Sequence, residues 1–191
     1  MDMTPRQDEI GRELNDIKKE NIHSLSEAQI KQSFIQKLLH LLSWDVFDRR
    51  QVVPEYSIEN RRVDYALFFR DAPKVFIEVK KASEQLENHQ EQLLDYAFRR
   101  GVPMAILTNG MTWWFYLPQA EGPWEQRRFY SINILEQSID EATQKFVEFI
   151  SRDKTESGEA LENAKKEHGS RKRQEIVRKK VPEAWDKIIS E

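Results

Sequence analysis

Apolar residues along this chain change their spacing several times, and each change marks an element. Ile10, Leu14 and Ile17 recur at helical spacing within a polar stretch, which predicts a helix inside residues 1–23. Ser24-Leu25-Ser26-Glu27 reads as a helix start, with Ser24 as N-cap and Glu27 as its capping-box partner. Ile30, Phe34, Ile35, Leu38, Leu39 and Leu42 then share one face, so this helix is expected from about Glu27 to Leu42. The spacing next shortens to that of strands. Arg50 to Tyr56 is the first, and Pro54 assigns it to a sheet edge, where a missing N–H costs no ladder bond. Arg62 to Phe69 and Lys74 to Lys80 are two apolar runs joined by Asp71-Ala72-Pro73, which predicts an antiparallel hairpin.

Helical spacing returns from Ser83, a candidate N-cap, to about Arg100, and Gly101 sits where a helix stop belongs. Met104 to Leu107 is a short apolar strand, Thr108-Asn109-Gly110 a tight turn, and Trp113 to Leu117 the answering strand. Arg127 to Ile132 adds one more. From Ile139 the pattern is helical, with Phe146, Val147 and Ile150 as a core face. Residues 152–163 are polar and read as a mobile connection. Lys165 to Lys180 reads as a basic helix, Pro182 as its break, and Trp185, Ile188 and Ile189 as the docking face of a last short helix. The order of elements predicts an α/β fold: a mixed β-sheet flanked by helices, with a helical C-terminal extension. The chain divides accordingly into an N-terminal helical segment (1–23), a core (24–135) and the extension (136–191).

Composition narrows the chemistry. The 191 residues can bury a core unaided, and the absence of cysteine excludes disulfide scaffolds, cysteine-bound zinc and thiol nucleophiles. No apolar run approaches the roughly 20 residues of a membrane span, and the polar, acidic start is unlike a signal peptide, so a cytoplasmic protein without a membrane partner is expected. The charged fraction of 33% fits solvated helix faces, and the net charge of −3 gives no global attraction to nucleic acid. Any such contact must come from a local patch.

Three charges violate the apolar pattern. Asp64 interrupts Val63-Asp64-Tyr65-Ala66-Leu67, and Glu78 and Lys80 interrupt Phe76-Ile77-Glu78-Val79-Lys80. A buried unpaired carboxylate costs several kcal/mol, so charges kept in adjacent strands imply a partner such as a metal. Glu78 and Lys80 are two apart on a strand and point to one face. If the hairpin register brings Asp64 opposite Glu78, two carboxylates and an ammonium converge. Such hard oxygen ligands suit Mg²⁺, with Mn²⁺ as a substitute, and the ammonium suits orientation of a water and stabilisation of developing negative charge. Hydrolysis of a phosphodiester needs these parts.

Asp64 followed by Glu78-Val79-Lys80 resembles the D…(D/E)-x-K signature of the PD-(D/E)XK nuclease superfamily, with Val63 in place of its loosely kept proline. Arg61-Arg62-Val63-Asp64-Tyr65-Ala66-Leu67, Ile77-Glu78-Val79-Lys80-Lys81, Gln92-Leu93-Leu94-Asp95-Tyr96-Ala97 and Leu107-Thr108-Asn109-Gly110 resemble the N-terminal nuclease domain of type I restriction enzyme R subunits. The resemblance spans roughly residues 24–117. It implies a restriction-endonuclease-like fold in the core and a Mg²⁺-dependent endodeoxyribonuclease. Asp64 and Glu78 would hold the metal, Lys80 would be catalytic, and Gln92 and Tyr96 of the Gln-x-x-x-Tyr motif would support cleavage or DNA contact. Glu27 matches an acidic residue many members carry near the metal and is a further candidate ligand. R subunits continue into an ATP-driven motor, but no G-x-x-x-x-G-K-[ST] phosphate loop occurs here. The chain is expected to be a stand-alone nuclease, a fragment, or a domain served by a separate specificity or motor subunit. A homodimer would supply the two sites that double-strand cutting usually needs.

Each residue also has a plain structural reading. Glu27 can be a capping-box residue, Tyr96 a core aromatic and His89 an exposed helix residue. Arg61 and Arg62 are either a phosphate clamp or a charged strand end. Of Trp113 and Trp114, one must face the core. The basic helix can contact DNA backbone or be merely solvated. The alternative to an enzyme is a non-catalytic nucleic-acid- or protein-binding module on the same fold.

Overall fold

A computed structural model describes residues 5–20, 22–58 and 61–189, with the side chains of 5, 58 and 179–189 outside that description. Six strands form one sheet in sequence order: β1 (Val52–Ile58), β2 (Arg61–Phe69), β3 (Ala72–Val79), β4 (Met104–Thr108), β5 (Thr112–Tyr116) and β6 (Arg128–Asn133). Only β3 and β4 run parallel, and the crossover between them carries helix α4 (Gln90–Arg99). The expected hairpin is present. Phe69 pairs with Ala72 across Arg70 and Asp71, whose φ angles of 50° and 61° fit a two-residue turn with both centres left-handed. β1 is an edge strand, as Pro54 requires. The mixed sheet with helices on both faces is the fold class the sequence predicts.

One face carries the larger core. Helix α1 (Pro5–Lys19) contributes Ile10, Leu14 and Ile17 at the expected spacing, all buried, and a Glu13–Lys37 ion pair ties it to the next helix. That helix spans residues 27–41 as α2 (Glu27–Ile30), one π turn (Lys31–Ile35) and α3 (Gln36–Leu41). Its N-cap is Ser26 with Gln29 as capping-box partner, rather than Ser24 with Glu27. Both Ser-x-x-Glu and Ser-x-x-Gln fit the motif, and a 3-10 turn at Ile22–Ser24 uses the first serine. Glu27 is thereby released from capping. Helix α5 (Ile139–Ile150) completes this layer with Phe146, Phe149 and Ile150, and Trp44 donates its indole N–H to the Ile150 carbonyl.

The opposite face carries α4 over a smaller core that includes Ala66, Phe76, Leu93, Tyr96, Leu107 and Tyr116. The helix starts at Gln90, not at Ser83, because Leu86 is first pulled into this core by a 3-10 turn (Leu86–Asn88). It ends at Gly101, with φ 66°, where the N–H groups of Gly101 and Val102 return to Phe98 and Ala97 in the expected αL stop. Gly110, with φ 87°, also has no substitute. A Cβ there would lie 2.6 Å from Ile22 Cδ1.

Residues 152–163 are helical rather than a mobile connection. Helix α6 (Arg152–Ser157) and the start of α7 (Glu159–Ile189) bury Thr155, Ala160 and Ala164 against the first core, so few but well-placed small residues dock a polar stretch. Helix α7 continues past Pro182 without the expected break. The docking expected of Trp185, Ile188 and Ile189 rests on side chains outside the described set. Among the described residues no helix is long and apolar enough to cross a membrane.

Candidate active site

Strands β2 and β3 part company at the charged residues. Their ladder runs from Phe69↔Ala72 to Tyr65↔Ile77 and stops. The next pair in register is Asp64 with Glu78, so the pairing expected from the hairpin is correct, but these two residues stand at the mouth of a split. β3 stays with β4 beyond this point, and Lys80 donates its N–H to the Thr108 carbonyl at 2.8 Å. β2 stays with β1. The alternation in β2 also slips here, since Tyr65 faces the larger core and Val63 the smaller one. Glu55, which Pro54↔Tyr65 and Tyr56↔Val63 bracket on β1, has φ 50°. The local twist of both strands turns Asp64 into the gap.

The carboxylates close the split that exposes them. Asp64 Oδ2 accepts the backbone N–H of Val79 at 2.7 Å, and the Glu78 carboxylate accepts from the backbone N–H of Asp64. Each side chain satisfies a donor that the ladder abandons, which is the accounting a buried backbone demands. Glu78 Oε1 also lies 2.7 Å from Lys80 Nζ. Burial pulls the Lys80 ammonium down, but Glu78 outweighs that and the net shift is upward. Glu78 itself is raised, first by burial and second by the charge of Asp64, against the opposing pull of Lys80. The two carboxylates therefore sense each other, as joint ligands of one cation must.

Lys31 is the site residue that sequence reasoning missed. Its ammonium lies 2.7 Å from Asp64 Oδ1, 2.9 Å from Glu55 Oε1 and 3.5 Å from Glu27 Oε1. Burial opposes its charge, but hydrogen bonds and charge contacts with Asp64 and Glu55 leave its pKa well above the ordinary lysine value. Lys31 opens the π turn of the first long helix, a local widening frequently found at functional sites. Tyr65 donates its hydroxyl to the Lys31 carbonyl at 3.2 Å and so ties β2 to that turn. Glu27, freed from capping, faces this ammonium. The signal available in the sequence is Glu27 and Lys31 one helical turn apart, but nothing local reveals that Lys31 reaches Asp64.

On the α4 side, Glu78 and Lys80 open into a groove with Arg61, Arg62, His89, Gln92 and Tyr96. Gln92 is exposed along it. Tyr96 is buried and stacks on Phe76 at 5.2 Å, so it serves the core as well as the groove wall. Arg61 pairs with Asp95 at 2.5 Å and Arg62 with Glu55 at 3.0 Å, and both stand at the groove mouth. His89 pairs with Glu84 at 2.9 Å. Among the described residues no three acidic or histidine side chains form a ready cage for a metal. Asp64 and Glu78 alone fit Mg²⁺, which takes one or two carboxylates and fills its shell with water and substrate phosphate.

The raised Glu78 carboxyl makes stability depend on pH. A folded pKa above the unfolded one means that the folded state binds the proton more tightly. Stability from this group is full below the ordinary glutamate range and is lost as pH rises through the raised value. In chelator, urea unfolding of the wild type and Glu78→Gln between about pH 5 and about pH 8 should show the glutamine variant gaining relative stability as pH rises. A pH-independent difference would contradict the assignment.

A mixed sheet that parts over two carboxylates and an ammonium, with a helix over the adjoining groove, is the α/β arrangement the sequence predicts. Residues 50–124 match the family described as type I restriction enzyme R protein N terminus. That stretch runs from just before β1 to beyond β5 and contains Asp64, Glu78, Lys80, Gln92 and Tyr96, so the family resemblance read from these motifs holds. Among solved structures, the chain is similar to a fragment described as a putative HsdR subunit of a type I restriction enzyme from Vibrio vulnificus YJ016. Sequence identity is 19% and the TM-score 0.41, with 68% of this chain and 27% of that one covered. This chain thus spans little more than a quarter of that chain's length. No curated protein matches.

Proposed function

We propose that the chain is a Mg²⁺-dependent endodeoxyribonuclease that hydrolyses DNA phosphodiester bonds in a cytoplasmic restriction setting. The observation that carries this reading is the β2–β3 split, where Asp64, Glu78 and Lys80 come together beside a narrow groove. Asp64 and Glu78 would hold the metal, and Mn²⁺ would substitute. When bound, the cation would supply charge neutralisation on the scissile phosphate and acidify a water. Lys80 would orient the attacking water and stabilise the developing negative charge. Lys31 would fix the rotamer of Asp64, with Glu27 acting through Lys31. Gln92 and Tyr96 would line the substrate side, and Arg61 and Arg62 would stand at its entrance. Residues 24–135 would form the nuclease core, braced by the segments 1–23 and 136–191. DNA is the substrate, and a second copy or a separate specificity or motor subunit would complete double-strand cutting.

One observation favours the non-catalytic alternative. Asp64 and Glu78 are each already matched by a lysine, so the site is satisfied without a metal. A cleavage assay separates the readings. Supercoiled plasmid and single-stranded DNA are incubated with the protein in Mg²⁺, in Mn²⁺ and in chelator. Nicked or linear product with either metal, absent in chelator and absent for Glu78→Gln, is the expected result. DNA binding without product in any metal would leave the binding-module reading.

A further inference from the structure

A second charged site lies beyond α4, where helix α7 crosses the β6 edge of the sheet. Two contacts to backbone carbonyls hold the helix there. His168 Nε2 lies 2.8 Å from the Gln126 carbonyl oxygen, and Arg171 Nη1 donates to the Arg128 carbonyl at 2.9 Å. These contacts set the basic half of α7 against the turn before β6. The cleft between them is lined by Arg128, His168, Arg171, Lys172 and Arg178.

Two arginines, Arg128 and Arg171, line this cleft together. Arg128 lies over the Trp114 ring at 4.4 Å, and its buried Nε has no hydrogen-bond partner. Arg171 is exposed as a residue, but the cleft partly shields its guanidinium. Burial first, and then the charge of Arg128, push the Arg171 guanidinium down, and the attraction of Glu175 ranks below both. Glu121, Glu125 and Glu175 line the same cleft, so it is not purely basic, and its four Arg and Lys side chains outnumber the three carboxylates by one if Arg128, Arg171, Lys172 and Arg178 are all charged. Two like charges held together and partly desolvated are costly unless an anion joins them. A planar guanidinium pair suits the oxygens of a phosphate.

The cleft opens on the α4 face, as the candidate catalytic groove does. Arg128 pairs with Tyr116, in the strand row of Ala105 and Phe76, so it stands three strands and two residues from Glu78. Strand spacing makes that separation about 16 Å. One duplex advances about 3.4 Å per base pair, so a single DNA molecule reaches both places within about five base pairs.

We propose that the Arg128–Arg171 cleft binds a backbone phosphate of nucleic acid, as an anchor separate from the groove at the β2–β3 split. The inference rests on the nuclease reading only for its choice of DNA over a free phosphate. The test is binding of a labelled DNA duplex by the full chain in chelator, where nothing is cut, followed by anisotropy across a salt series. Arg171→Gln should weaken binding about five- to tenfold at about 0.1 M salt and reduce the salt slope by about 0.9. Lys172→Gln, at an exposed position of the same helix, provides a second variant and should act in the same direction. Lys18→Gln, at an exposed position of α1 on the other face of the sheet, should leave the slope unchanged. Inorganic phosphate should raise the melting temperature of the wild type more than that of Arg171→Gln. An unchanged slope in both cleft variants overturns the anchor while leaving the nuclease reading intact. Stabilisation by phosphate with DNA binding unchanged assigns the cleft to a free anion and overturns the nucleic-acid inference. A wild type that cuts nothing, but loses slope on Arg171→Gln, keeps the anchor and removes the nuclease.

Discussion

Exchange of Lys80 for methionine should lower the rate of metal-dependent DNA cleavage by about 10²–10³-fold, the usual cost of removing one preorganised group that stabilises transition-state charge. Methionine keeps most of the aliphatic stem and removes only the ammonium. The change leaves Glu78 without its 2.7 Å partner and still in the field of Asp64. A carboxyl already raised by burial answers by keeping a proton rather than remaining as an uncompensated charge. The stability loss should therefore be small near pH 6 and larger near pH 8. Single-turnover cleavage at saturating protein, beside urea unfolding at both pH values, reads the two effects apart. Cleavage within about threefold of wild type would remove Lys80 from the chemistry.

Much of this arrangement is legible in the amino-acid sequence. The hairpin follows from two apolar runs and a short linker, and the charges in them locate the site because an apolar strand has no reason to carry them. Gly101 and Thr108-Asn109-Gly110 are readable because αL stops and tight turns depend on local backbone geometry. The elements that differ from expectation share a cause. Ser24 and Ser26 both offer a capping box, and a 3-10 turn upstream decides between them. Ser83 offers a helix start, but burial of Leu86 delays the helix to Gln90. Residues 152–163 carry few apolar groups, yet small ones suffice where α6 and α7 lie close to the core. In each case tertiary contact overrides an ambiguous local signal.

Lys31 belongs to the same class, and it is illegible for a sharper reason. Its partners Glu55 and Asp64 lie 24 and 33 residues away and become neighbours only when β1 and β2 coil past the π turn. The motif describes the acids of such a site but not the base that holds one of them still. A site described as two carboxylates and a lysine is here a network of four carboxylates, with Lys31 and Lys80 inside it and Arg62 at its edge.

Removal of Lys31 should accordingly affect both stability and cleavage. Lys31→Met leaves Asp64, Glu55 and Glu27 facing one another with no ammonium among them. Breaking a well-buried pair costs about 3–5 kcal/mol, and the residual exposure of this lysine lowers the expectation to about 2–3 kcal/mol. Asp64→Asn should cost less, because the amide oxygen can still accept the Val79 N–H while Lys31 keeps Glu55. If Lys31 serves stability chiefly through Asp64, the double variant should be more stable than the sum of the two losses predicts, by about 1 kcal/mol or more. Cleavage by Lys31→Met should fall about 10–100-fold, the usual cost of losing a group that orients a metal ligand. Isothermal titration of Mn²⁺ gives a readout independent of turnover. A positioning role predicts weaker binding in Lys31→Met, because a loose Asp64 must be ordered by the cation itself. Tighter binding would mean that the ammonium competes with the metal for Asp64 and would overturn the positioning role.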